Sequence, residues 1–181
     1  MRKALYILGI LDDNDASWLA TTGKARPISA GAVIIEQGVP VDSLFILIDG
    51  QLQVYSGSVE IAKLLAGEIV GEISFVDSRP PSASVKATVD SQVLAIPKTA
   101  LHAKLQRDPE FASRFYLSLA TFLADRLRLA DALLTTGQRG MHAAEDLDEL
   151  PAEMLENIAL ASARFDMIVK RLAAQSSGNR S

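Results

Sequence analysis

The chain has 181 residues, a formal net charge of −4, 49% hydrophobic residues and no cysteine. That length accommodates one substantial core with a helical appendage, and the absence of cysteine excludes disulfide staples, thiolate zinc sites and thiol catalysis, in keeping with a cytoplasmic location. The acidic balance argues against sequence-independent nucleic-acid binding, which needs lysine and arginine to displace counterions, and no apolar run approaches the roughly 20 residues of a membrane span.

The N-terminal "MRKALYILGILDDNDASW" has a basic start and a short apolar stretch, then passes into acidic residues without a small-residue cleavage site. It reads as mature structure, with a secreted form as the lesser alternative. "LDDNDASWLATTG" predicts a short helix capped by Asp12 or Asp13 and ended by Gly23, with Trp18 and Leu19 free to pack. From Lys24 to about Lys98 the pattern turns to β. "AVIIEQ", "SLFILID", "QLQVYSG", "VEIAKLL", "SASVKATVD" and "SQVLAIP" are short runs separated by turns such as Ala30-Gly31, Gln37-Gly38 and Asp49-Gly50. This spacing predicts an antiparallel sandwich or barrel. In "SASVKATVD", Ala83, Val85, Ala87 and Val89 alternate with Ser82, Ser84, Lys86 and Thr88, which predicts one buried and one polar face.

Beyond Lys98 the period becomes helical. A short helix is followed by a break at Asp108-Pro109 and a long helix at about 110–135, with Tyr116, Leu119, Leu123, Leu127, Ala130 and Leu134 at helical spacing. After "GQRGMHAA" a second amphipathic helix is expected at about 145–174. Its seam is Leu147, Leu150, Met154, Ile158, Ala161, Phe165, Ile168 and Leu172, and acidic residues at its start and basic ones at its end complement the dipole. "QSSGNRS" is expected to be a disordered tail. The division expected is therefore residues 1–136 and 137–181.

The order of a helix, about eight short strands and a long helix, with "EQGVPVDSLFILIDGQLQVY", "GEIVGE" and "DPEFASRFYLSLATFLADRLR" in sequence, resembles the cyclic nucleotide-binding domain family. That family includes the catabolite activator proteins and the kinase regulatory subunits. The resemblance covers roughly residues 8–135 and implies a mainly β, jelly-roll-like antiparallel barrel with flanking helices, followed by a long helix and a second amphipathic helix. It is the resemblance to a stand-alone member without a DNA-binding domain, since the residues after Gly137 are too few for a winged helix-turn-helix and no basic recognition helix is present.

A cyclic phosphate is a compact anion, and successive N–H groups opening a short helix suit it. Gly71 would allow close backbone approach, with donors from Glu72, Ile73 and Ser74, and the resemblance implies that Glu72 accepts the ribose 2′-hydroxyl. The family pattern Pro-Arg-Ala-Ala-Thr-Val is met here by Pro80-Pro81-Ser82-Ala83-Ser84-Val85, so proline stands where the phosphate-binding arginine is usual. Pro81 brings neither charge nor N–H donor. Arg79 lies two residues early behind stiff prolines, while Ser82, Ala83 and Ser84 remain as polar-strand contacts. Beside this stands the plainer reading, in which Glu72 caps a helix or pairs with a surface lysine, the serines face solvent and Arg79 is a loop residue.

His102 and His142 share no ligand or acid-base spacing, there is no Gly-x-Ser-x-Gly elbow or Gly-Lys-Ser/Thr loop, and "GEIVGE" lies in no parallel βαβ unit. Neither an enzyme nor a bound cofactor or metal is expected. The expected function is that of a sensor of cyclic AMP or cyclic GMP that signals through its C-terminal helices. The alternative is a scaffold of the same fold that has lost ligand response. The expected partners are a second copy, through the long helix, or another protein, through the last helix, with no membrane or nucleic acid; the alternative for the last helix is that its seam folds back on the long helix of the same chain.

Overall fold

A computed structural model describes residues 5–135 and 152–178. The chain runs α1 (Leu5–Ile10), α2 (Asp13–Thr22), β1 (Lys24–Ile28), β2 (Val33–Ile35), β3 (Ser43–Asp49), β4 (Gln51–Ser56), β5 (Val59–Leu65) and β6 (Ile69–Val70). It continues through α3 (Glu72–Val76), β7 (Ser84–Ala87), β8 (Ser91–Pro97), α4 (Lys98–Arg107), α5 (Pro109–Thr135) and α6 (Ala152–Gly178). Two four-stranded antiparallel sheets form, in the orders β1-β8-β3-β6 and β2-β7-β4-β5.

The different textures of the strands follow from these layers. The first sheet is covered on both faces, so β3 and β8 are almost wholly apolar. Leu44, Ile46 and Ile48 with Leu94 and Ile96 face a core built with the helices, whereas Phe45, Leu47, Val93 and Ala95 face the second sheet. The second sheet has one wet face. Its Leu52, Leu64, Val85 and Ala87 point inward, and Lys63 and Lys86 are exposed. The alternation expected along Ala83 to Val89 holds from Val85 through Ala87, while Ala83 and Ser84 are both half-buried. Val89, expected inside, is 46% exposed because β7 has already ended.

Three short elements escaped the sequence reading. β1 contains Pro27, which a central strand would not tolerate; it is accommodated because β1 is an edge strand paired only to β8. β6 is two residues long and pairs Ile69 and Val70 with Ile46 and Phe45. The apolar N-terminal stretch forms α1, with Ile7 and Leu8 buried. The next helix matches expectation: the Asp12 carboxylate caps α2 by accepting the Asp15 N–H at 2.8 Å, the Asp12 N–H donates in return to the Asp15 carboxylate at 3.0 Å, and Gly23 ends the helix.

The chain passes from one sheet to the other at Gly50, where φ is +97° and a Cβ would lie 2.2 Å from Ser91 Oγ and 2.7 Å from Ser91 Cα. Gly50→Ala combines a left-handed backbone with a backbone clash. It is expected to cost about 2–4 kcal/mol, read in urea titration as a lower midpoint at unchanged slope.

The long helix buries a different stripe from the one its leucines suggested. Phe111, Phe115, Ser118, Leu119 and Phe122 are buried, while Tyr116 is 49% and Leu127 63% exposed and Leu123 is half-buried. Aromatic residues win the inward positions because they fill the space over α3 and α2. Phe115 meets Phe75 edge-on at 5.8 Å and Phe111 meets Trp18 at 5.5 Å. Arg114 ties the same helix to α2, donating to Asp15 at 2.6 and 3.1 Å and reaching Asp12 at 3.1 Å.

The last helix folds back on its own chain, against α1 and α2 rather than along the long helix. Ala161, Ile168 and Leu172 join the core, and Phe165 packs against it. Arg164 pairs with Asp13 at 2.7 Å and donates to the carbonyls of Leu8 and Gly9 at 2.9 and 3.1 Å, which satisfies the C-terminal end of α1. The helix continues through Gly178, so Gln175 to Gly178, expected as disordered tail, are helical. The linker of residues 137–144 with His142, and the expected seam positions Leu147 and Leu150, lie outside the described residues. No helix among the described residues is long and apolar enough to cross a membrane.

Candidate functional site

Gly71 ends β6 and begins α3 in the left-handed conformation, φ +89°. An added Cβ would stand 3.1 Å from the Ser43 carbonyl oxygen, so glycine is required both by conformation and by the approach of β3. Three neighbours then fix α3. Ser74 Oγ donates to the Gly71 carbonyl at 3.2 Å and accepts from Lys98 Nζ at 2.9 Å. Phe75 is buried, stacked on His102 at 4.6 Å and edge-on to Phe115. Burial pushes the Lys98 ammonium below its ordinary range, and Asp42 and Asp77 pull it back.

Glu72 is the first residue of α3, and its side chain is only 2% exposed. Its Oε1 accepts from Arg126 Nη1 at 2.5 Å; the guanidinium comes from α5, fifty-four positions along the chain, and its carbon lies 4.7 Å from the Phe122 ring centroid. Burial raises the Glu72 carboxyl above its usual range, while the Arg126 charge and the residue's own N–H act in the opposite direction. The pair is therefore a buried carboxylate held by a cation that itself reaches solvent, since Arg126 keeps 30% of its side-chain exposure.

These groups line a cleft of about 60 Å³ between the second sheet and α3. Gly71, Glu72, Ile73 and Ser74 form one wall, Ser82 and Ala83 with Pro81 form another, Ile35, Val54, Val70 and Val85 form the apolar floor, and Arg126 closes it from the helix. Six of the eight residues expected from sequence thus meet at one place. Two do not. Ser84 Oγ accepts the Gln37 N–H at 3.0 Å, and Arg79 is exposed with its N–H donated to Asp77 at 3.0 Å; neither lines the cleft. The Pro81 carbonyl accepts the Gly38 N–H at 2.9 Å, which pins the loop where an arginine was expected.

Residues 25–108 match the family model of the cyclic nucleotide-binding domain. Over those residues the chain carries a domain of that family. Among relatives of this chain is the Pycsar effector protein XpPycTIR of Xanthomonas perforans, 28% identical over 65% of this chain and 39% of that protein. Another is the cGMP-dependent protein kinase egl-4 of Caenorhabditis elegans, 32% identical over 43% of this chain and 10% of that one. The chain thus spans well under half the length of these curated relatives. A solved cyclic nucleotide-binding domain from Methylobacillus flagellatus KT superposes with a TM-score of 0.65 at 23% identity, covering 74% of this chain and 82% of that one, a likeness of fold.

The family match stops at Asp108 and so does not reach the arginine that closes the cleft. Sequence reading missed Arg126 for a related reason. It sits four residues after Phe122 and eleven after Phe115, in register with the buried aromatic stripe, but the leucine periodicity drew the helix face elsewhere.

Proposed function

We propose that this protein is a regulatory module that binds cyclic AMP or cyclic GMP in the cleft under α5 and transmits occupancy through its C-terminal helices. The observation that carries the reading is Glu72: a carboxylate buried at the start of α3, facing a cleft whose opposite wall is Ser82 and Ala83. Burying such a group is costly unless it is partnered, and a ribose hydroxyl is a suitable donor to it. Ser82 supplies a hydroxyl and an N–H for an anion beyond the ribose.

The cleft volume of about 60 Å³ is well below the roughly 300–1,000 Å³ of usual small-molecule sites. Sugar and phosphate enter only as the helix above gives way. Ligand binding and displacement of α5 are then one event, and a ligand that binds the displaced arrangement better shifts the population toward it. The route outward runs from α3 through Phe75 to Phe115 on α5. Because the α6 seam is used within the chain, self-association is assigned to α5, whose Tyr116, Leu117 and Leu127 are exposed. Light scattering with and without cyclic nucleotide tests that assignment, and a strict monomer in both conditions ends it.

The test of the binding reading is isothermal titration of the nucleotide-stripped protein with cyclic AMP and cyclic GMP, beside Glu72→Gln and Pro81→Arg. Micromolar binding that weakens at least about tenfold in Glu72→Gln is expected, the loss of one charge-assisted bond. A silent wild type with binding restored by Pro81→Arg would instead favour the scaffold, since Pro81 is the feature that disarms the loop.

A further inference from the structure

We propose that Arg126 is the phosphate counter-ion of this cleft, so that the cation missing from the cassette is supplied by α5. The inference rests on the cyclic-nucleotide reading above and goes beyond it. A phosphate buried without a paired charge is strongly disfavoured, and the loop offers none: Pro81 is neutral and lacks an N–H, and Arg79 is exposed and is not among the residues that line the cleft. Arg126 is the cation among the residues that line the cleft.

Its geometry suits the task. Nη1 already holds Glu72 at 2.5 Å, and Phe122 supports the guanidinium from one side. A guanidinium presents five N–H donors in a planar fork, so one edge can keep a carboxylate while another takes an anionic oxygen. In a 3′,5′-cyclic nucleotide the 2′-hydroxyl is on the carbon adjacent to the one bearing a phosphate ester oxygen. A ligand whose 2′-hydroxyl reaches Glu72 therefore brings its phosphate beside the group that Arg126 already touches. Placing the cation on a helix rather than on the sheet loop also makes affinity depend directly on where α5 stands.

The experiment compares each nucleoside with its cyclic phosphate, because only the second carries the anion. Wild type, Arg126→Gln, Arg126→Lys and Arg126→Gln/Pro81→Arg are titrated with cyclic AMP and adenosine, and with cyclic GMP and guanosine. The readout is the factor by which the phosphate tightens binding. In Arg126→Gln that factor is expected to fall about 10–100-fold, the range of a charge-assisted bond, beyond whatever change in nucleoside affinity follows from freeing Glu72. Arg126→Lys should keep part of it, and Pro81→Arg should restore it in the double variant. Should Arg126→Gln be too unstable to titrate, the same factor is compared between Glu72→Gln and Glu72→Gln/Arg126→Gln, which leave no carboxylate unpaired. Equal loss for nucleoside and cyclic phosphate, or no loss at all, overturns the counter-ion role while leaving the cyclic-nucleotide reading intact. A wild type silent to both cyclic nucleotides overturns that reading and the counter-ion role with it.

Discussion

Replacing Arg126 by leucine should destabilise the protein by about 3–5 kcal/mol near neutral pH, the cost of leaving a buried charge without its partner. Glu72 is 2% exposed and Arg126 is its ion-pair partner. The effect should depend on pH with a definite sign. Burial already raises the Glu72 carboxyl in the fold, and Arg126 is the larger of the two influences that lower it, so its removal raises that carboxyl further. A carboxyl raised in the folded state holds its proton more tightly there than in the unfolded chain. Its contribution is most favourable below the unfolded value and is lost as pH rises through the folded one. The penalty of Arg126→Leu should therefore shrink toward acid pH and grow above the ordinary carboxylate range, by up to about 1.4 kcal/mol per pH unit. Urea titrations at a series of pH values read this directly, and Glu72→Gln/Arg126→Leu should remove most of the slope. Glu72→Gln alone should be milder, because the freed guanidinium can reach water. A penalty that is flat with pH, or that persists undiminished in the double variant, would show that Arg126 acts through packing on Phe122 instead.

How far the sequence disclosed this arrangement depended on the range of the interaction concerned. The strands whose apolar residues alternate, or run unbroken between Gly and Asp turns, were legible because pleat and burial repeat locally. The cap at Asp12 and the break at Asp108-Pro109 were legible for the same reason: Asp108 accepts the Phe111 N–H at 2.9 Å within one turn. Gly71 to Ser74 and Ser82-Ala83 were named from one short motif within residues 67–87, and they come together at the cleft. Arg126 and Glu72 meet across fifty-four positions, and nothing local in "ADRLRLAD" distinguishes Arg126 from Arg128. The helix face was misassigned because α5 carries two candidate stripes, one of leucines and one of phenylalanines. Periodicity gives the angle between residues but not which direction holds the core. The serine at position 84 shows a third limit: the Gln37-Gly38 turn was legible, but not that the Gln37 N–H takes the Ser84 hydroxyl from forty-seven positions away.

Phe115→Ala should cost a similar about 3–5 kcal/mol, the usual range for truncating a fully buried phenylalanine, and should carry a functional signature beyond it. Phe115 is 1% exposed, parallel-stacked on Phe111 at 5.5 Å and perpendicular to Phe75 of α3 at 5.8 Å. Beside Arg126, which pairs with Glu72, it is thus a side chain through which α3 touches the long helix. Phe111→Ala provides the control, because its ring is equally buried but faces Trp18 and Phe115 rather than α3. Both variants should lose stability alike. Only Phe115→Ala should weaken the response of α5, measured as the change in amide hydrogen exchange of that helix when saturating cyclic nucleotide is added. Cores transmit displacement because close-packed rings cannot absorb it, so a cavity at Phe115 lets α3 move while α5 stays. Equal blunting of the exchange response in both variants would assign the coupling to general helix stability. An undiminished response in Phe115→Ala would leave Arg126 as the path from ligand to helix.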